Sequence, residues 1–266
     1  MKKMSAFVVV ITALALGACQ SSEPNDSQQR QARENQQAGS ESVEEVTIPS
    51  ETAQPSTPAA QPQVAQANEV APSGPANPAL LNPALATETA PAQYTVRFDT
   101  TKGEILVDVT RSWAPIGADR FYNLVRIGYF NDIAFFRVIP GFMAQVGLNG
   151  DPAVNRAWRD ATIQDDPPTQ SNTQGMVSFA TSGPNSRVQQ FFINFGNNAR
   201  LDGMGFAPFG RVRDMNTINQ IHGGYGEGAP GGRGPSQALI QSRGNEYLRA
   251  QFPNLDYIRG ASIVTP

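Results

Sequence analysis

Aromatic residues stop at Phe7 in this chain and do not return until Tyr94. That gap decides what can fold. A core needs large apolar side chains to offset the entropy of ordering the backbone, and residues 20–93 offer mainly Gln, Ala, Pro, Ser and Glu. Nine acidic residues there face only Arg30 and Arg33, a net charge of −7. The stretch is expected to stay disordered, stiffened by Pro55, Pro58, Pro62, Pro72, Pro75 and Pro78, with a reach of about 45–50 Å as a coil. Its role is that of a tether, residues 19–93. Leu80, Leu81 and Leu85 could dock on the domain that begins at Tyr94, but a solvated linker is the simpler expectation.

Ahead of the tether, Lys2 and Lys3 precede an apolar run, Ala6 to Leu16, interrupted only by Thr12. The run is too short to span a bilayer and reads as a signal peptide over residues 1–18. It ends in Leu16-Gly17-Ala18-Cys19, which resembles the bacterial lipobox, in which the cysteine is lipidated and becomes the mature N-terminus. An ordinary secretory signal with an incidental cysteine is the alternative. Cys19 is the only cysteine, so the chain cannot form an internal disulfide. Gln20 is not the aspartate that retains lipoproteins at the inner membrane of Gram-negative bacteria. The expected location is therefore the outer membrane, facing the periplasm. In a Gram-positive cell it would be the outer face of the cytoplasmic membrane.

Residues 94–266 are long enough for one domain with a sizeable core. Of the 20 Lys and Arg residues, only four precede residue 94, and the later part carries a net charge near +2, which gives no basis for nucleic-acid binding. Tyr94–Asp99 and Ile105–Val109 alternate apolar and polar residues around Thr101-Lys102-Gly103, which predicts an opening β-hairpin. Pro115 suits the first turn of a helix. Phe121, Leu124 and Val125 have helical spacing, and Gly128 is a stop. Short strands are predicted over 135–139, 142–146, 176–180, 191–195, 209–212 and 258–264. Residues 148–174 read as a long loop. Helices are expected around 214–221 and over 237–252, the latter interrupted at Gly244. The glycine-rich run 223–232 cannot be regular structure. Many short strands without βαβ alternation argue for a closed antiparallel barrel.

Most catalytic chemistries are excluded by what is missing. His222 is the only histidine, it borders the glycine-rich run, and no G-x-S-x-G elbow accompanies it. Zinc normally needs several Cys or His ligands. No phosphate-loop motif occurs in 223–234. Asp165 and Asp166 sit beside prolines and read as a turn. Neither a metal nor a cofactor is expected. What remains is Arg137 in an apolar strand, with glutamines and aromatics nearby. On its own it is equally readable as a buried ion pair among core residues.

The combination is more specific. Phe135-Phe136-Arg137-Val138-Ile139-Pro140-Gly141-Phe142-Met143-x-Gln145 resembles the cyclophilin peptidyl-prolyl isomerase signature. Ser178–Asn185 and Gln189–Ile193 are similar to the family's second block. Leu201-Asp202-Gly203 with Phe209–Val212 is similar to its third. The resemblance implies a closed eight-stranded antiparallel barrel capped by two helices, with the peptide groove outside the packed barrel. It implies a catalytic role for Arg137, a proline pocket of Phe142, Met143, Phe192 and Leu201, polar contacts from Gln145 and Gln190, and a peptide-flanking strand at Ala180 and Thr181. It gives no role to residues 223–257, a C-terminal loop and helix. Arg200 stands where cyclosporin-sensitive members carry tryptophan, and Phe136 where many carry histidine. The expected function is isomerisation of X-Pro bonds in exported proteins, without a covalent intermediate. The alternative is a tethered module that binds proline peptides without catalysis. The expected partners are flexible proline-containing polypeptides and, through Cys19, a membrane. A monomer is expected.

Overall fold

A computed structural model of the chain describes residues 76–264; the signal segment, Cys19 and the tether up to residue 75 lie outside these residues. The elements in chain order are β1 (Gln93–Thr100), β2 (Gly103–Thr110), α1 (Pro115–Arg126), β3 (Ile133–Ala134), β4 (Arg137–Ile139), β5 (Met143–Val146), α2 (Pro152–Trp158), β6 (Met176–Phe179), β7 (Phe191–Asn194), β8 (Pro208–Val212), α3 (Gln237–Gln251) and β9 (Tyr257–Val264). The opening hairpin forms as its alternation predicts. Val96 faces Val107 and Phe98 faces Ile105, all buried on the core side.

The expected closed eight-stranded barrel is corrected. Nine strands form one antiparallel sheet in the order β3-β9-β1-β2-β8-β6-β7-β5-β4, and its two edge strands do not pair with each other. These edges are consecutive in the chain, joined only by Phe135 and Phe136. Two residues are enough for a tight hairpin, but the chain does not turn back here: Phe135 N donates to Asp256 O at 2.9 Å, continuing the β3–β9 pairing, so β4 runs on from β3 instead of folding against it. The two linking side chains are buried in different clusters, Phe135 in the main core and Phe136 beneath α3.

The main core lies inside the curled sheet. α1 brings Phe121, Leu124 and Val125 onto it at the spacing the sequence predicts. Phe98 stacks on Phe191 with ring planes 13° apart, and Phe121 packs edge-on against Phe191 at 5.2 Å. Each such phenylalanine contributes about 2 kcal/mol through removal from water. The start of α1 is capped from far along the chain. Asp166 accepts from Ile116 N (3.0 Å) and Gly117 N (2.8 Å) and pairs with the buried Arg187. Asp165 and Asp166, expected as a turn, form none: Asp165 is exposed, and Asp166 is a buried cap of α1.

Three further expectations change. Residues 148–174 contain α2, started by Pro152 and by Asp151, whose Oδ1 accepts from Ala153 N at 2.7 Å. The predicted helix around 214–221 is only a 3₁₀ turn, Ile218–Gln220. Residues 76–92, assigned to the tether, pack on the domain. Ala79 and Ala90 are buried, and Trp158 Nε1 donates to Leu80 O at 3.0 Å. Asn123 exchanges two hydrogen bonds with the Glu88 backbone, and Asp119 accepts from Ala90 N at 2.9 Å. The segment is poor in apolar residues, but partners on α1 and α2 satisfy its backbone, and composition alone does not reveal them. Leu81 and Leu85 stay exposed. The interruption at Gly244 forms as expected, with φ 58° inside α3.

Candidate active site

Pairing of β4, β5 and β7 sorts their side chains by the period of two. Val138, Ala144, Val146, Phe191 and Ile193 turn inward to the main core. Arg137 faces Gln145, and Gln145 faces Phe192, so these three share the outer surface of the sheet. The turn at Pro140-Gly141 closes with Phe142 N donating to Ile139 O at 3.0 Å and returns the chain so that Met143 lies opposite Ile139.

A small apolar cluster on this outer surface is separate from the core. It comprises Met143, Phe192 and Leu201, with Ile139, Phe142, Ala180 and Phe206 against them. Leu201 is delivered by the 3₁₀ helix Ala199–Met204, which Asp202 ties down by accepting from Ser171 Oγ (2.5 Å) and from Asn172 N and Nδ2 (2.8 Å each). Partial burial pushes the Asp202 carboxyl up, but these hydrogen bonds outweigh it and hold it below the usual carboxylate range. Phe206 packs edge-on against Phe192 at 5.6 Å and completes the wall. Arg200 lies beside the pocket, its guanidinium carbon 5.1 Å from the Phe142 ring.

Apart from Ile139, the cluster lines a cavity of about 250 Å³ that also takes in Arg137, Gln145, Thr181 and Gln237. A neighbouring cavity of about 320 Å³ shares Gln145, Ala180, Thr181 and Gln237 and adds Gln190. The structure therefore brings all nine groove residues named from the sequence onto one continuous outer groove. Arg137 Nη1 donates to Gln145 Oε1 (2.9 Å), Gln145 Nε2 to Gln190 Oε1 (2.8 Å), and Gln190 Nε2 to Gln237 Oε1 (3.2 Å).

Three participants were not singled out from the sequence as site residues: Phe206, Gln237 and Glu227. Glu227 takes the far edge of the Arg137 guanidinium, accepting from Nε at 2.5 Å and from Nη2 at 2.6 Å. Arg137 draws the Glu227 carboxyl below its ordinary range, against the opposing effect of burial. A lone acid in a glycine-rich run carries no sequence signal of this role. His222 is elsewhere, packed on Tyr225 with its backbone N–H donating to Asp256 Oδ2 at 2.7 Å. Among the described residues no three His, Cys, Asp or Glu side chains gather as a metal site.

The groove thus presents one guanidinium beside an apolar pocket and flanking side-chain amides, and among the described residues no cysteine or histidine lines it to act as a nucleophile or to activate the Thr181, Ser182 and Ser186 hydroxyls. Such a site can stabilise a twisted amide without bonding to it.

Residues 95–238 match the family model described as "Cyclophilin type peptidyl-prolyl cis-trans isomerase/CLD". A peptidyl-prolyl cis-trans isomerase-like 1 of Emericella nidulans is 35% identical over 134 residues, covering 48% of this chain and 80% of the relative. A peptidyl-prolyl cis-trans isomerase-like 3 of Neurospora crassa is 32% identical over 139 residues, covering 48% and 83%. A crystal structure of a Cryptosporidium parvum cyclophilin type peptidyl-prolyl cis-trans isomerase covers 65% of this chain and 99% of its own, at 22% identity and a TM-score of 0.49.

Proposed function

Because the chain belongs to the cyclophilin-type peptidyl-prolyl cis-trans isomerases, we propose that Arg137 is its catalytic residue and that the pocket of Phe142, Met143, Phe192 and Leu201 receives the substrate proline ring. The observation that carries this is the position of Arg137 on the wall of that pocket, outside the packed core.

Rotation about an X-Pro bond faces a barrier of about 20 kcal/mol, and lowering it requires no covalent step. As the bond twists, amide resonance is lost and the imide nitrogen becomes pyramidal and basic. A guanidinium N–H donated to that nitrogen, or to the twisted carbonyl, binds the transition state more tightly than either ground state. The apolar pocket holds the ring while the acyl side turns. Gln145 and Gln190 are placed to bond the peptide backbone, and Ala180 and Thr181 lie beside it.

Arg137→Ala tests the assignment. Isomerisation of a proline peptide, followed by NMR exchange, should fall about a hundredfold with the fold retained. Near-normal turnover would remove Arg137 from the mechanism. The setting is part of the same reading. Lys2, Lys3, the apolar run and Leu16–Cys19 support an exported, Cys19-anchored enzyme acting on proteins outside the cytoplasm. Cys19→Ser should move the protein from membrane to soluble fractions, and continued sedimentation would count against lipid anchoring.

A further inference from the structure

The glycine-rich segment after His222 forms an isolated antiparallel bridge, Val138↔Gly226, on the free edge of β4. Antiparallel register advances one residue on one strand as it retreats one on the other. Pairing of 138 with 226 therefore sets Arg137 opposite Glu227, as a cross-strand neighbour. The side chains confirm the register. The carboxylate grips the Nε and Nη2 edge with two parallel bonds, the preferred arrangement for this pair.

Glu227 is itself held. Its Oε1 accepts from Gly228 N at 2.9 Å, and its carbonyl accepts from Gly234 N at 2.8 Å. A side chain on Gly232 would drive its Cβ into that carbonyl, so glycine is what lets the segment fold back over Glu227. Glu227 lines neither of the two groove cavities, whereas Arg137 lines the apolar one. The acid stands behind the guanidinium rather than in the path of a peptide. Three of the five N–H donors of Arg137 are committed to oxygen, two to Glu227 and one to Gln145, and Nη1 also contacts Met143 Sδ at 3.9 Å. The same segment ends at Gln237, which accepts from Gln190. Both ends of the chain Glu227–Arg137–Gln145–Gln190–Gln237 therefore come from one loop and the helix it leads into.

We propose that Glu227 is a positioning residue for Arg137, carried by the glycine-rich segment as a cross-strand partner on the edge of β4. The inference rests on Arg137 being the catalytic group. An arginine has several rotatable bonds, and a guanidinium that donates to a twisted imide must be aimed. The carboxylate fixes its plane from behind, and Gln145 fixes it from the side.

The test is isomerase kinetics of the full chain with Glu227→Ala, Glu227→Asp, Arg137→Ala and the Arg137→Ala/Glu227→Ala double variant. Misaiming a catalytic group lowers the rate of the chemical step, so Glu227→Ala should lower kcat about tenfold with KM little changed. Glu227→Asp should recover part of the loss. The double variant should be no slower than Arg137→Ala alone, because Glu227 acts only through Arg137. In the 15N NMR spectrum the Arg137 Nε–H should exchange slowly in the parent and rapidly in Glu227→Ala. Undiminished or raised kcat in Glu227→Ala would overturn the proposal, as would a further loss in the Arg137→Ala background. Were Arg137→Ala itself fully active, the catalytic assignment would fail first. An inactive Arg137→Ala beside a normal Glu227→Ala would sink the positioning role alone.

Discussion

Asp166 and Arg187 form an ion pair inside the domain, Nη1 to Oδ2 3.0 Å, with side chains 1% and 2% exposed. The arginine also reaches Asp165 Oδ1 at 3.1 Å and the Gln164 carbonyl, while Asp166 caps α1. Removing one partner strands the other charge in a low-dielectric site. Arg187→Ala should therefore cost about 3–5 kcal/mol of stability, read by chemical denaturation. A loss below about 1 kcal/mol would mean that water replaces the guanidinium freely.

A fragment beginning at Tyr94 should be less stable than the full chain. Without residues 76–92, Trp158 Nε1, Asn123 and Asp119 lose backbone partners and the surfaces under Ala79 and Ala90 open. With the Arg111 N bond to Ala92 O, five lost hydrogen bonds at about 1 kcal/mol each predict a loss of about 5 kcal/mol, visible as a lower melting temperature. Equal melting of the two forms would make the packed segment energetically idle.

Asp202 couples the groove to acid. Its carboxyl titrates lower in the folded chain than in the unfolded one, so its contribution is present above the ordinary carboxylate value and is lost as pH falls through the folded value. Asp202→Asn should flatten the acid limb of a stability-against-pH curve while lowering stability at neutral pH. An unchanged acid limb would assign that limb to other carboxylates.

Arg200 brings a charge and a flexible stem to the place where the resemblance puts an indole, and it already lies against Phe142. Ordering it against an apolar macrocycle costs rotamer entropy and desolvation. Cyclosporin should inhibit the parent more weakly than Arg200→Trp in an isomerase titration. Equal, tight inhibition of both would show that an indole is dispensable at this position.

What the sequence made legible was local. The groove residues were readable through the resemblance of their short motifs to a family signature, whereas alternation alone left Arg137 readable as a buried ion pair; the register that sets Arg137, Gln145 and Phe192 on one face came with the structure. The capping of α1 by Asp166 was not readable, since it joins residues 49 and 50 positions apart. Nor was Glu227, 90 positions from Arg137. The packing of residues 76–92 depends on acceptors and donors that belong to other elements. The open sheet order follows from Phe135 staying paired to Asp256 on the β9 side, a long-range contact that alternation of apolar residues does not encode.

The bridge between Val138 and Gly226 has a consequence beyond the arginine. β4 ends the sheet, and an uncovered terminal strand offers its backbone N–H and C=O groups to any extended chain that arrives. An enzyme whose substrates are polypeptides meets such chains as a matter of course. With Gly226 seated on Val138, that part of the rim is already taken, and on the proposed reading a visiting peptide is left the groove, from which it can depart once its proline has turned.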